Sequence, residues 1–192
     1  MDKNFLKDVL LKLKKAGSHE SDVFYSKVKS LNSSSRLGKI EKTEESEVSE
    51  IGIRAIIDKK QSIVSTTNLD KTNIENLIDK VIGMAKVVPA NEYCGLAPQE
   101  MVTKFDKNKF EDLNLYDPFS PSMELIQKKV ILLENSALSN KQITNSEGAE
   151  IAYSNSYSCL MGSNGLEIEM NKTHSDFIIA VLAGNKNSME RE

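Results

Sequence analysis

The sequence is poor in the residues on which several protein classes depend. Its two cysteines, Cys94 and Cys159, are too few for a disulfide framework, which predicts a protein of the reducing cytoplasm. No apolar run approaches the roughly 20 residues of a membrane-spanning helix. The N-terminus, Met1–Phe5, lacks the basic and then apolar layout of a secretory signal. Neither a membrane protein nor a secreted protein is therefore expected.

An excess of charge of one sign is also lacking. The 25 lysines and arginines nearly balance the 28 aspartates and glutamates, and the formal net charge is −3. Direct nucleic-acid binding is therefore not expected, because neutralising phosphates requires clustered basic residues. With 192 residues, of which 39% are hydrophobic, the chain can form one large or two small globular domains.

Residues 1–88 predict a helix, a β-meander and a second helix. Apolar residues spaced three and four apart over Asn4–Ala16 are typical of an amphipathic helix, and Gly17 ends it. Four extended segments that follow predict a four-stranded antiparallel meander: 22–31, 39–48, 51–57 and 62–67. The third segment is the most apolar and so the most buried.

The second helix is predicted to open with a capping box formed by Thr72 and Glu75 and to end before Pro89. Its apolar residues form one stripe: Ile74, Leu77, Ile78, Val81, Ile82 and Ala85. Residues 89–120 hold three of the four prolines and show little periodicity. They predict a connector, long enough that we expect it to pack on a specific surface.

Residues 121–192 predict a third helix and a β-hairpin. Ser120 and Pro121 suit the N-cap and first position of the helix, and Asn164-Gly165 is a strong turn signal between two alternating segments, 143–164 and 166–183. The predicted fold class is α+β, with antiparallel β-meanders and three amphipathic helices packed against them. The repeated order of helix and strands suggests a degenerate duplication, although residue identity between the halves is too low to assert one.

Two histidines are the first candidates for chemistry. His19-Glu20 invites a metal interpretation, but the second histidine that a helical zinc motif needs one turn later is missing. A surface histidine is the favoured interpretation. His174 and Asp176 share one face of a predicted strand, so they suit either a general base with its orienting carboxylate or, as we favour, a solvated hydrogen bond.

The remaining candidates have mainly structural interpretations. Cys159 is predicted to be a core residue, and Cys94, in the connector, to be exposed. The serines at 33–35, next to Arg36, are interpreted as a flexible hairpin tip and not as a nucleophile. An acidic run could attract a cation or a basic partner but more often keeps an edge strand soluble; it comprises Glu41, Glu44, Glu45, Glu47 and Glu50. These residues do not assemble a complete catalytic or metal site, and the sequence identifies no substrate-binding residue.

Several strings, in order along nearly the whole chain, resemble the TldD/PmbA family, whose members are also called modulators of DNA gyrase. The strings are Gly38–Glu41, Ile51–Ile56, Ser65–Asp70, Gly95–Ala97, Asp112–Pro118, Ile143–Ala149, Ser163–Gly165 and Met189–Arg191. Those at 145–148 and 189–191 are closer to the PmbA (TldE) branch. The resemblance covers the family's N-terminal domain alone, with subregions 1–88, 89–120 and 121–192. Since family members are more than twice as long, we expect a shortened chain or a split gene.

The resemblance implies a role in a cytoplasmic zinc metalloprotease. The family's His-Glu-x-x-x-His motif belongs to a later domain that this chain lacks, so no catalytic residue, metal ligand or cofactor is assigned here. In the PmbA branch a TldD-type partner subunit is expected to supply the zinc. The partner would be that subunit or a second copy, and unfolded peptide the substrate, as in microcin maturation or antitoxin degradation.

Three hypotheses follow. The first is a PmbA-like subunit that lines a substrate chamber and binds unfolded peptide at a strand edge, either in the Ile51–Thr67 hairpin or in the Ile151–Ala183 strands. The second is a non-enzymatic regulator of DNA gyrase, which the charge balance disfavours. The third is a free-standing interaction domain. We favour the first and expect this chain alone to be inactive as a peptidase.

Overall fold

The computed structural model of the protein describes residues 3–103, 113–185 and 188–191. Residues 104–112 of the predicted connector, including Asp112 of the family string, lie outside the described residues. The described elements are α1 (Lys3–Lys15), β1 (Glu20–Arg36), β2 (Lys39–Ile57), β3 (Lys60–Thr66), α2 (Lys71–Val87), a short 3₁₀ helix (Gln99–Met101), α3 (Met123–Leu138), β4 (Ile143–Gly162), β5 (Glu167–Asn185) and β6 (Ser188–Arg191).

The strands of the described chain form one antiparallel sheet in the order β3-β2-β1-β4-β5-β6. Helices pack on this sheet, which confirms the predicted α+β class. The Asn164-Gly165 turn joins β4 to β5 as predicted, with Gly165 at a φ of 91°. The final short strand, β6, pairs with the end of β5 and was not predicted.

The predicted four-stranded meander is wrong in its strand count, because the second and third segments are one strand. β2 continues from Lys39 to Ile57 without interruption. The residues between the two predicted segments, Ser49 and Glu50, include no glycine or proline that would turn the chain. β3 pairs with Ile51–Ile57 only, so the earlier, acidic part of β2 is a sheet edge within the described residues, as the acidic run indicates.

Two helices begin at residues other than those predicted. α2 begins at Lys71 after Asp70, whose side chain makes no capping hydrogen bond, so Thr72 lies inside the helix and forms no capping box. α3 begins at Met123, and its N-cap is Ser122, whose hydroxyl accepts a hydrogen bond from the Leu125 N–H at 3.3 Å. The helix thus starts after the Ser120-Pro121 pair, because the serine that can reach a free N–H determines the start.

The chain divides into two compact units, each of which draws residues from both sides of the predicted connector. The first unit comprises residues 3–27, 48–103, 113–114 and 157–171, and the second 28–47, 115–156, 172–185 and 188–191. No helix in these described ranges is long and apolar enough to cross a membrane.

The first unit is built around an apolar core. Side chains of α1, α2, β1, β2 and β4 meet there, because helical and alternating spacings put apolar residues on one face of each element. The core includes Leu6, Val9, Leu13, Val23, Ile51, Ile53, Ile74, Ile78, Val81, Ala85, Cys159 and Met161. The predicted stripes of α1 and α2 are therefore confirmed as core surfaces.

The second unit has a small apolar core and a polar interior. Its buried apolar cluster consists of Leu31, Ile126 and Tyr153, with Met123 and Ile151 packed against it. Its buried polar residues, each fully shielded from solvent, are Ser33, Ser35, Glu134 and Ser146.

Candidate functional site

His19 and Glu20 lie where the chain passes from α1 into β1. The His19 imidazole is exposed, and its Nδ1 is 3.4 Å from Oδ1 of Asp58. The Glu20 carboxylate accepts a hydrogen bond from the backbone N–H of Leu96 at 2.9 Å. Glu20 therefore anchors the connector, and His19 is a turn residue on the surface.

His174 and Asp176 come together as a pair on β5. Nε2 of His174 is 2.7 Å from Oδ2 of Asp176, and both side chains are 58% exposed. This is the solvated hydrogen bond favoured from the sequence.

Predictions for the cysteines and serines have mixed outcomes. Cys159 is a core residue, as predicted. The prediction of an exposed Cys94 is wrong, because the connector packs closely and leaves the residue 7% exposed. The flexible tip at 33–35 is also wrong: Ser33 and Ser35 lie inside β1, because the chain turns later, at Leu37 and Gly38.

The fully buried carboxylate of Glu134, on α3, was missed by sequence reasoning. One oxygen accepts a hydrogen bond from the Leu37 N–H at 2.8 Å. The other accepts from the Gly38 N–H at 3.0 Å and from the Ser35 hydroxyl at 3.1 Å. The Ser146 hydroxyl also bonds to this carboxylate. Glu134 thus binds the turn between β1 and β2 to α3 and to β4.

These hydrogen bonds keep Glu134 ionised. Burial raises the pKa of a carboxyl group because it disfavours the charged form. Hydrogen bonds from Ser146, Gly38, Leu37 and Ser35 outweigh that effect, so the pKa of Glu134 lies below its ordinary value. The group is an anion held by neutral donors, and its role is to hold the turn.

The most distinctive surface feature is the outer edge of β5. β6 pairs with Leu182–Asn185 only, and no strand of the described chain pairs with the outer side of Ser175–Val181. Phe177 and Ile178, which point to opposite faces of the strand, are 71% and 65% exposed. We call Ser175–Val181 the free edge.

The hydrogen-bond pattern shows which backbone groups of the free edge face outward. The C=O groups of Lys172 and Leu182 accept hydrogen bonds from β4 side chains. The backbone groups of even-numbered residues at both ends of this stretch therefore face β4. The N–H of Thr173 instead donates outward to the Leu115 C=O at 3.0 Å. Since backbone groups alternate along a strand, the N–H groups of Ser175 and Phe177 point away from the sheet.

The described residues do not fit a metal site. Nowhere in 3–103, 113–185 and 188–191 do three His, Cys, Asp or Glu side chains come together in a way that could hold a metal ion. The two histidines lie in separate units and each faces a single aspartate.

Comparison with known proteins shows which family the chain is similar to. The family model described as PmbA/TldA metallopeptidase domain 1 matches residues 21–85. The metalloprotease PmbA homolog of Haemophilus influenzae is 25% identical over 179 residues, which are 93% of this chain and 39% of that protein. Metalloprotease PmbA of Escherichia coli O157:H7 is 25% identical over 183 residues, which are 95% of this chain and 40% of that protein. The chain is similar to the PmbA/TldD family over most of its length. It spans about two-fifths of these relatives' length, and their names imply a metal in the family.

Solved structures related to the PmbA/TldD family share the fold. A proposed modulator of DNA gyrase from Bacteroides thetaiotaomicron superposes with a TM-score of 0.87 at 17% identity, covering 98% of this chain and 43% of that one. TldE from Thermococcus kodakarensis gives 0.79 at 15% identity, covering 96% and 40%. At these identities the likeness concerns the fold alone.

Several of the strings that resemble the PmbA/TldD family have structural roles. Gly38 and Ser146, from two different strings, both donate to Glu134. Leu96 is bound by Glu20, and the Ala97 C=O accepts a hydrogen bond from the Asn164 side chain at 2.9 Å. The predicted packing of the connector on a specific surface is thus confirmed for these residues.

Proposed function

We propose that this chain is the first domain of a PmbA-like subunit of a cytoplasmic zinc metalloprotease, and that it binds unfolded peptide along the free edge. The supporting observation is that no strand of the described residues pairs with the outer side of Ser175–Val181, where Phe177 and Ile178 are exposed. An extended peptide can add there as a further strand, with affinity from main-chain hydrogen bonds and little sequence preference. Such binding suits the proteolysis or maturation of unfolded or modified peptides.

The free edge of β5 suits this role better than β3, the strand at the opposite end of the sheet. β3 is short, and α2 packs on it, with the Ser62 hydroxyl donating to the Val81 C=O at 2.6 Å. Its exposed large apolar side chain is Ile63. The free edge carries exposed apolar side chains on both faces, so a bound peptide could bury side chains above and below the strand.

In this proposal the zinc comes from outside the chain, from a TldD-type partner subunit or from a second copy in its longer form. The names of the relatives support a metalloprotease, and the described residues supply no set of ligands. The chain's own contribution is to hold a peptide extended in the wall of a substrate chamber. We expect no peptidase activity from this chain alone.

Proline scanning of the free edge tests peptide binding. Proline at an outward-facing edge position removes a donor that the sheet does not use, so Phe177→Pro should fold normally. We expect it to weaken binding of a fluorescein-labelled, unstructured heptapeptide about fivefold to tenfold in fluorescence anisotropy, because a main-chain hydrogen bond is lost and the peptide fits less well. Phe177→Ala, which keeps the N–H, is the matched control for loss of the side chain.

Equal affinities of the Phe177→Pro and Phe177→Ala variants for the heptapeptide would contradict binding by strand addition. Ser175→Pro repeats the test at a polar position, where loss of the side chain removes little contact. Urea unfolding midpoints close to that of the unsubstituted chain would show that the variants are folded.

A further inference from the structure

One end of the free edge is closed by the connector. The Thr173 N–H is already bonded to the Leu115 C=O, and the Thr173 hydroxyl accepts a hydrogen bond from the Asp117 N–H at 3.0 Å. The Asp117 carboxylate in turn accepts from the Phe119 N–H at 2.8 Å. A peptide paired with Ser175–Val181 therefore cannot continue along β5 past Thr173, because the outward donor there is occupied.

A cavity of about 230 Å³ lies at this closed end. Phe119, Pro121 and Tyr153 give it apolar and aromatic walls, while Thr173 and Ser175 of β5 form its border with the edge. The Tyr153 hydroxyl donates to the Phe119 C=O at 3.0 Å, so the wall is held before any ligand binds. A preformed cavity of this size and lining suits one large apolar or aromatic side chain.

Charged groups of both signs line the cavity. The Asp117 carboxylate is engaged by the Phe119 N–H, and His174, which also lines the cavity, is paired with Asp176. Lys129, on α3, lines the cavity and has no carboxylate partner among the described residues. The end of a peptide at this place therefore meets the Lys129 ammonium group, with the Asp117 carboxylate in the same lining.

The direction of the bound peptide relative to β5 determines which of its ends lies at the cavity. Antiparallel strand pairs outnumber parallel ones roughly two- to threefold. A peptide antiparallel to β5 has its C-terminus at Ser175, next to the cavity, and its N-terminus towards Val181.

We infer that the closed end of the free edge recognises the C-terminus of an extended peptide. Lys129 binds the terminal carboxylate, and a large apolar or aromatic last side chain fills the cavity. This inference rests on the proposed function and narrows it, because it names the substrate class: peptides with a free C-terminus and an apolar or aromatic last residue.

Four labelled heptapeptides with the same first six residues test this inference on the full chain. One ends in phenylalanine with a free carboxylate, one in phenylalanine amide, one in glycine with a free carboxylate, and one in glutamate amide. We expect the first to bind about threefold to fivefold more tightly than its amide, as for a solvent-exposed ion pair. We expect it to bind about fivefold to tenfold more tightly than the glycine peptide, because the ring leaves water.

Lys129→Gln should abolish the difference in affinity between the phenylalanine peptide with a free carboxylate and its amide. Lys128→Gln, at the neighbouring exposed position of α3, is the matched control and should preserve that difference. Both positions are on the helix surface, so neither variant should unfold.

The outcomes separate this inference from the proposed function. Equal affinities for acid and amide, or a difference that survives Lys129→Gln, would overturn C-terminal recognition while leaving peptide addition in place. If the peptide that ends in glutamate amide binds as tightly as the peptide that ends in phenylalanine with a free carboxylate, any carboxylate suffices. That result would also overturn C-terminal recognition. Failure of all four peptides to bind, or binding that Phe177→Pro does not weaken, would overturn the proposed function and the inference together.

Discussion

The interiors of the two units are stabilised in different ways. In the first unit, aliphatic side chains of two helices and three strands bury one another. In the second, the apolar cluster is small, and the deepest group is the carboxylate of Glu134. Apolar burial has no preferred direction and scales with area, whereas a buried anion depends on the position of each donor. The first interior should therefore respond to side-chain volume and the second to side-chain chemistry.

This difference accords with what the second unit presents at its surface. It carries the free edge, the cavity at its closed end and the turn held by Glu134. Hydrogen bonds position the backbone at each of these places: at Thr173 for the edge, at Phe119 for the cavity and at Leu37 for the turn. A binding surface needs fixed backbone positions, and directional bonds provide them.

Cutting back a core side chain of the first unit should have the largest effect. Leu13→Ala removes a side chain that is 0% exposed between α1 and the sheet. We expect a loss of about 2–5 kcal/mol in the free energy of unfolding, measured by urea denaturation. Leu13→Met keeps the volume and should cost less than about 1.5 kcal/mol. A Met variant as unstable as the Ala variant would contradict the idea that volume decides stability here.

In the second unit, a substitution that keeps the side-chain volume should still lower the stability. Glu134→Gln has nearly the same shape, but both carboxylate oxygens receive backbone N–H groups, so the new amide must point a donor at a donor. We expect a loss of about 2–3 kcal/mol in the free energy of unfolding, because a buried donor is left unsatisfied. A loss below that of Leu13→Met would remove the contrast between the two interiors.

The pH dependence of stability tests the same residue independently. Since the folded-state pKa of Glu134 is lower than the ordinary value, the unfolded chain takes up this proton first as pH falls. The contribution of Glu134 is fully present above about pH 4.5, the ordinary value, and is lost as pH falls through the folded-state pKa. The stability difference between the unsubstituted chain and Glu134→Gln should therefore narrow over this acidic range. A difference independent of pH would rule out an ionised Glu134.

The apolar interior could be predicted from the sequence and the polar one could not. The spacing of Leu6, Val9 and Leu13 determines a buried helix face whatever it packs against, so α1 and its core side were predictable. Glu134 follows Ile126 and Val130 at helical spacing, on the buried stripe of α3, which is the signal that could have identified it. Its donors come from distant parts of the chain, so the sequence alone could not show that the carboxylate would be satisfied.

The free edge and its cavity depend on tertiary structure in the same way. The alternation of β5 predicted a strand, but the edge exists because β6 pairs only with Leu182–Asn185. The closed end exists because Leu115 and Asp117, which lie far from β5 in the sequence, form hydrogen bonds with Thr173. His174 and Asp176 were noticed as a pair from their spacing, whereas nothing in the sequence connects Lys129 with β5.

The smallest expected effect concerns the turn that Glu134 holds. Leu37 has a φ of 50° and is 60% exposed, so the turn forces a leucine into the left-handed region although it buries little apolar surface. Asparagine tolerates this conformation, and Asn-Gly is the preferred pair in such hairpin turns. Leu37→Asn should therefore raise the free energy of unfolding by about 0.5–1 kcal/mol. Leu37→Val, which is β-branched, should lower it, and a Val variant as stable as the Asn variant would show that the leucine is not strained.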